Sequence, residues 1–537
     1  MVKRVDAVKL RKWLGDGDEI ALLDIRNGGP YSRDHILVAS GVPRANFETH
    51  VPRLVPRRST RLVLTDDDGS TLDAAAEMLE SHGYSNVHVL EDGNRGWTAA
   101  GFRLYSGSNI VSKVFGEMVE AKYGTPHVDA GILAAWMTEG RTFRLFDVRP
   151  LAEYRTVSIP GATNCPGMEG VLRIPAQLDN DDVPIVVNCA GRTRSIIGAQ
   201  SLRDAGITNP VFALENGTMG WQLRGFEPDH GQSNITTEPF GSALESARES
   251  AREFAARNEI RFVDVDTVQR WTEEPLRTTY VFDVRLAEAF SLGRFPGSMN
   301  APGGQLIQNT DTFAAVRNAR MVLVDEHNVQ SVMTAHWMSR MGWDVAVLSD
   351  SGNHLSDTGA DPAPVLHAPD PRATIIDGEQ LRALVDSGRC VIVDVGDSYW
   401  YRQGRIPGSH WAMRSKLAET LSRFNRDSTL VFVCTSGNMA PFAAGDAIAC
   451  GFTDVCALAG GRGAWRRAGG EFETIGDVDD DLVLNPTDDM WYPPWARAEG
   501  AREAMAEYLS WEVGLVDRVR SEEYLRFSDE FDITDFD

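Results

Sequence analysis

Two loops in the 537-residue chain put a cysteine where an apolar run gives way to a helical pattern. One reads Cys189-Ala190-Gly191-Arg192-Thr193-Arg194 before Ser195, the other Cys434-Thr435-Ser436-Gly437-Asn438-Met439 before Ala440. A tight turn of this kind aims backbone N–H groups and a helix N-terminus at the sulfur, which favours negative charge there. In the first loop the guanidinium groups of Arg192 and Arg194 strengthen that effect, and the thiol pKa is expected below its free value of about 8.5. A cysteine held as thiolate is a nucleophile, whereas one that only closes a buried strand needs no arginines beside it. In the second loop Met439 stands where Arg194 stands in the first. Cys434 therefore reads either as a second, weaker nucleophile or as part of a degenerate loop.

The elements that carry these loops recur along the chain. Four segments pair a short helix start with an apolar strand ending in Asp24, Asp147, Asp283 or Asp394. A second apolar strand runs into a loop whose first residue is Asp66, Cys189, Asp325 or Cys434, which lie 42, 42, 42 and 40 residues beyond those aspartates. A Gly-rich turn with Trp97, Trp221 or Trp465 closes three of the units, and the third unit lacks it. Short β-branched strands alternating with helical patterns predict α/β architecture, a small parallel sheet flanked by helices, repeated four times. Helices are expected to open at Ser195 and at Ala440. The units are expected at 1–106, 107–230, 261–358 and 372–474. A charged, solvent-facing helical linker is read at 231–260 and a Pro- and Asp-rich linker at 359–371. An acidic extension follows at 475–537, with 18 acidic against 5 basic residues and segments suited to a helix and an aromatic patch. It reads as a docking extension or as a solvated acidic tail.

Units one and three carry Asp66 and Asp325 at the cysteine position. A carboxylate cannot carry a transferable sulfur and is expected to sit badly in an anion-binding turn, so both units are read as catalytically dead scaffolds. The net charge of -24 disfavours nucleic acid and anionic membrane partners. No apolar stretch is long enough to cross a membrane and the N-terminus is too polar for a signal peptide, so a cytoplasmic location is expected. The six cysteines form no CxxC pair, so neither a disulfide scaffold nor a metal site is expected, and no cofactor is called for. Cys165, Cys390, Cys450 and Cys456 lack a cationic loop and read as structural, although Cys165 follows Ile159-Pro160-Gly161-Ala162 and could lie near a cleft.

The strand-Asp-Arg opening, that Ile-Pro-Gly-Ala segment, the strand-Cys loop and the Gly-Trp turn together resemble the rhodanese sulfurtransferase superfamily. The resemblance covers roughly residues 1 to 474 as four tandem rhodanese-like domains. It implies that Cys189 takes a sulfane sulfur from a donor such as thiosulfate, holds it as a persulfide and passes it to a thiol, to cyanide or to a protein sulfur acceptor. On this reading Ala190, Gly191, Arg192, Thr193 and Arg194 bind the donor, while Asp147, Arg149 and Ser195 brace the loop. The first unit, Asp34-His35-Ile36-Leu37-Val38-Ala39-Ser40-Gly41, keeps a histidine but is read as stretching the turn.

Two alternatives follow from the same residues. A cysteine phosphatase needs arginine six positions after the cysteine, and here that position is Ser195; arsenate reduction is disfavoured by loop size alone. A non-catalytic sulfur carrier or interaction scaffold is the second alternative, and the two altered loops lend it support.

Overall fold

The computed structural model describes residues 2–178, 182–359, 364–473, 481–497 and 499–536. Four β-sheets carry the four repeats. In the second repeat the strands His127–Val128, Val211–Leu214, Ile185–Asn188, Arg144–Asp147 and Thr163–Asn164 lie side by side in that order and all pair in parallel. The third repeat repeats this order with Phe262–Val263, Asp344–Leu348, Arg320–Val324, Thr279–Asp283 and Met299–Asn300. The fourth does so with Thr374–Ile376, Val455–Leu458, Thr429–Val433, Cys390–Asp394 and His410–Trp411. The first repeat orders Lys3–Val5, Val87–Leu90, Arg61–Thr65, Ile20–Asp24 and Ser40–Gly41 in the same way. The central runs are β-branched and buried along their length, as parallel strands covered by helices on both faces must be.

The predicted landmarks are strand ends. Asp24, Asp147, Asp283 and Asp394 each close a strand, and Asp66, Cys189, Asp325 and Cys434 each follow one. The turn of the first repeat is not stretched. Asp24 pairs with Gly41, Asp147 with Asn164, Asp283 with Asn300 and Asp394 with Trp411, the same 17-residue span in every repeat. A buried tyrosine fixes that turn: Tyr154 donates its hydroxyl to the carbonyl of Ala162 (2.6 Å), as Tyr31 does to Ala39 (2.8 Å) and Tyr401 to Ser409 (2.5 Å).

The chain forms two compact units. One gathers Met1–Ala7, Leu22–Gly107 and Ala363–Pro493, and the other Val8–Ala21, Ser108–Pro362 and Pro494–Asp537. The predicted linker helix exists as Gly241–Arg257, but it is not simply solvent-facing. Ala247, Ala251, Phe254 and Ala255, at helical spacing, bury one side of it, because an Ala-rich stripe at that period is an apolar face in spite of the flanking charge. Part of the predicted second linker, 360–363, and the junction at 474–480 lie outside the described residues. The acidic extension carries the α-helices Ala501–Val513 and Leu515–Val519, which bury Ala504, Met505, Leu509, Leu515 and Val519. No helix among the described residues is long and apolar enough to cross a membrane.

Candidate active site

Cys189 follows the buried strand Ile185–Asn188 and lies four residues before the helix Thr193–Asp204, which opens two residues earlier than the predicted Ser195. Its carbonyl oxygen is held by the N-terminus of the next helix, Gly217–Leu223: Thr218 donates its N–H (2.8 Å) and its hydroxyl (3.1 Å). Met219 N–H bonds the carbonyl of Ala190 at 3.0 Å. This is the structural purpose of the Gly-Trp turn. Gly217 has φ +53, and a Cβ there would meet the Cys189 carbonyl oxygen at 2.3 Å, so only glycine lets the two turns close on each other. Trp221 is buried under the turn and its indole N–H bonds the Glu227 carbonyl at 3.0 Å, a bond that Trp97 and Trp465 repeat with Arg103 and Glu471.

The Cys189 residue is only 2 % exposed, but its sulfur faces polar groups. Sγ lies 3.5 Å from Ser195 Oγ, and that hydroxyl donates in turn to the Arg192 carbonyl at 2.8 Å. The two arginines do not both face the sulfur. Arg192 bonds Glu117 through two nitrogens, each at 2.7 Å, and also contacts Glu120, both on the helix Ile110–Tyr123. Arg194 is the cation whose charge reaches Cys189. It forms a two-pronged pair with Glu153 at 2.9 Å on both arms. Burial works against its positive charge, but Glu153, then Cys189 and Asp147, keep its pKa above the usual value. Glu153 is half-buried, and although burial works the other way Arg194 holds its carboxyl below the usual carboxylate range. Thr193 donates its hydroxyl to a carboxylate no motif announced, Glu512, at 2.7 Å.

Behind the loop, Arg149 clasps Asp147 at 3.0 and 2.6 Å and donates to the Val157 carbonyl at 2.6 Å, while Asn188 bonds the same carboxylate at 3.2 Å. This clasp ties the strand that ends at Asp147 to the strand that carries Cys189. Arg26 on Asp24 and Arg285 on Asp283 repeat it. The fourth repeat has Gly396 at the arginine position, and an arginine from elsewhere takes over: Arg462 reaches the Gly404 carbonyl, the counterpart of Val157, and comes within 3.6 Å of Asp394. The looser pairing leaves Asp394 underneutralised, and burial raises its pKa to about 6 in spite of the Gly396 N–H and the Arg462 charge. Between pH ~4 and ~6 the folded chain keeps a proton there that the unfolded chain has released, so stability falls as pH rises through that window, by up to roughly 3 kcal/mol. Asp394→Asn keeps an acceptor for Gly396 and is expected to match the parent in urea unfolding at pH 4 while exceeding it at pH 7.5. A difference that does not change with pH would remove the account.

The other three loops show what the turn can hold. At Cys434 the N–H groups of Gly437 and Met439 point at the sulfur at 3.2 and 3.3 Å, so the predicted amide cradle is present. Burial nevertheless pushes this thiol up; the N–H groups of Met439, Ala440 and Gly437 offset the shift only in part, and the Asp394 charge adds to it. The expectation that a carboxylate fits such a cradle badly is wrong. Asp66 accepts from the N–H groups of Asp68 (3.2 Å), Gly69 (2.5 Å) and Thr71 (3.1 Å) and from the Thr71 hydroxyl (2.6 Å). Asp325 accepts from the N–H groups of Val329 (3.0 Å) and Gln330 (3.2 Å) and from the Ser331 hydroxyl (2.5 Å). An anion-binding turn suits a carboxylate as well as a thiolate, so in these repeats the protein fills the cradle with its own anion. Cys165 is fully buried, and burial pushes its thiol up to about 12. Burial also raises Cys390 and Cys456.

A rhodanese-like domain model matches the chain four times, at residues 6–100, 129–224, 264–353 and 377–468, together more than half of it. Among curated proteins, the thiosulfate sulfurtransferase GlpE of Pseudomonas savastanoi pv. phaseolicola is 35% identical over 88 residues, 16% of this chain and 82% of that protein. The GlpE of Pseudomonas aeruginosa strain PAO1 is 36% identical over 88 residues, 16% of this chain and 79% of that protein. The crystal structure of a thiosulfate sulfurtransferase from Pseudomonas aeruginosa aligns over 98% of this chain and 99% of its own, with 38% identity and a TM-score of 0.86.

Proposed function

The chain belongs to the rhodanese family, and from that premise we propose that it is a sulfurtransferase working through Cys189, with thiosulfate or a related anion as donor. In the first half-reaction the Cys189 thiolate attacks the outer sulfur of thiosulfate. A new S–S bond forms on the protein, the S–S bond of thiosulfate breaks and sulfite leaves with its electron pair. In the second, a thiolate or cyanide attacks the outer persulfide sulfur, takes it as a persulfide or thiocyanate, and returns Cys189 as thiolate. No separate base is needed, and the two displacements give ping-pong kinetics.

The observation that carries this reading is the place of Cys189, in the turn between the buried strand Ile185–Asn188 and the helix Thr193–Asp204, inside a rhodanese-like match and with its sulfur 3.5 Å from Ser195 Oγ. The N-terminus of the helix Thr193–Asp204 stabilises the terminal persulfide sulfur, while Asp147, Arg149 and Ser195 hold the loop in place. Arg192, committed to Glu117 and Glu120, shapes the loop more than it binds the donor. The first and third repeats, with Asp66 and Asp325 in their cradles, serve as inactive scaffold, and the reaction takes place in a reducing, cytosolic setting that keeps the six cysteines as thiols.

The test is thiocyanate formation from thiosulfate and cyanide, run beside phosphate release from an aryl phosphate. Thiocyanate without phosphate is the expected result, and phosphate without thiocyanate would reverse the assignment. Cys434, whose sulfur has amide donors but no cation beside it among the described residues, is the weaker site. Cys434→Ser is expected to keep kcat/KM within about twofold of the parent, the size of effect left when a group outside the reacting centre is altered conservatively. A loss of tenfold or more, about 1.4 kcal/mol, would move the fourth repeat into the catalytic cycle.

A further inference from the structure

The helix Ala501–Val513 of the acidic extension packs directly on the Cys189 loop. Met505 and Leu509 form an apolar cluster with Met219, the residue that bonds the Ala190 carbonyl. Arg502 donates to the carbonyls of Gln222 (3.0 Å) and Leu223 (2.7 Å), satisfying the C-terminal end of the helix that holds Cys189 in place. Gly191 lies under this wall. A Cβ there would sit 2.9 Å from Met219 Cε, 3.4 Å from Glu512 Oε2 and 3.7 Å from Leu509 Cδ2. Packing alone would be served by an apolar residue at 512. The chain instead buries a carboxylate, 2 % exposed, whose Oε1 accepts from the Thr193 hydroxyl and which lies beside the Tyr508 phenol. Burying such a group is costly unless its charge is answered, and the Lys113 ammonium and the Arg192 guanidinium both answer it. Lys113 is equally buried, bonds the Ser108 carbonyl and lies over the rings of Tyr508 and Trp511 at 5.8 and 5.4 Å. Burial lowers the Lys113 ammonium to about 8, with the Glu512 charge opposing the shift.

We propose that Glu512 is a positioning residue for the Cys189 nucleophile: through Thr193 it fixes the loop between Cys189 and the helix Thr193–Asp204, which makes the acidic C-terminal helix a working part of the second repeat's sulfur-transfer site. The proposal rests on Cys189 as the nucleophile. It assigns a role to a segment outside every rhodanese-like match.

The test is transfer from thiosulfate to cyanide by the full-length chain, with kcat and KM separated. Glu512→Ala is expected to lower kcat by about 10- to 100-fold with KM changed less than about twofold, the scale set by a nucleophile displaced by near 1 Å. Glu512→Gln keeps an oxygen acceptor for Thr193 and is expected to recover most of that loss. Thr193→Val should match Glu512→Ala, and the double variant should be no slower than either single one, because both changes remove the same bond. Should Glu512→Ala not fold, judged by circular dichroism, Thr193→Val carries the comparison. Parent-like kcat in a folded Glu512→Ala or in Thr193→Val overturns the positioning role, as does a Gln variant as slow as Ala. Parent-like turnover in Cys189→Ser would overturn the nucleophile assignment instead. An inactive Cys189→Ser beside a parent-like Glu512→Ala overturns this inference alone.

Discussion

Replacing Cys189 by serine is expected to reduce thiosulfate-dependent sulfur transfer by at least about a thousandfold, because the covalent intermediate then has no atom to form on. The change is close to isosteric, and the bonds that hold the loop are untouched: Thr218 and Met219 still grip the backbone, and Arg194 stays paired with Glu153. Stability should therefore stay near that of the parent, which separates loss of chemistry from loss of fold. Urea unfolding measured beside the kinetics checks both halves. A Cys189→Ser protein that kept a tenth of parental turnover would place the reaction on another residue, Cys434 first.

Arg149→Met is expected to destabilise the second repeat by about 3–5 kcal/mol, the usual cost of removing one partner of a buried ion pair. Arg149 is almost completely buried, and despite that burial the Asp147 charge keeps its guanidinium pKa above the usual value. Without it the Asp147 carboxylate, fully buried, keeps the Asn188 amide and the residue-149 N–H, and the Val157 carbonyl loses its donor. Methionine fills much of the arginine stem's volume, so the loss reports charge more than cavity. Because Asn188 precedes Cys189 directly, sulfur transfer should fall together with stability. Chemical denaturation monitored by tryptophan fluorescence measures the effect; a change below about 1 kcal/mol would mean that the pair only breaks even against its desolvation.

Much of the fold was legible because it is written in strand ends. An apolar run closed by Asp147 and a second closed by Asn188 before Cys189 must be neighbouring strands of a covered parallel sheet, and four copies at nearly one spacing leave little room for another architecture. The apparent stretching of the first repeat's turn came from the missing Pro-Gly, Leu37 and Val38 standing in their place; register depends on the residue count, which is unchanged. The site was only half legible. The cysteine, its turn and the Asp147–Arg149 clasp follow from local pattern, but an arginine's partner does not. Glu117, Glu120 and Glu153 capture Arg192 and Arg194 through tertiary packing that no short motif encodes. Arg462 takes the vacant arginine place from a different helix, and Glu512 arrives from more than 300 residues away. The misjudged fit of Asp66 and Asp325 has another origin: the same amides that stabilise a thiolate accept any anion of suitable size.

The most direct measurement of the central claim is intact mass spectrometry of the protein after treatment with thiosulfate and removal of excess reagent, followed by peptide mapping without reductant. The account expects a gain of about 32 Da, one sulfur atom, located on the peptide that contains Cys189 and discharged by cyanide, since transfer passes through a covalent intermediate. An unchanged mass at Cys189 in a preparation that turns over thiosulfate, or the added sulfur found on Cys434 alone, would contradict it.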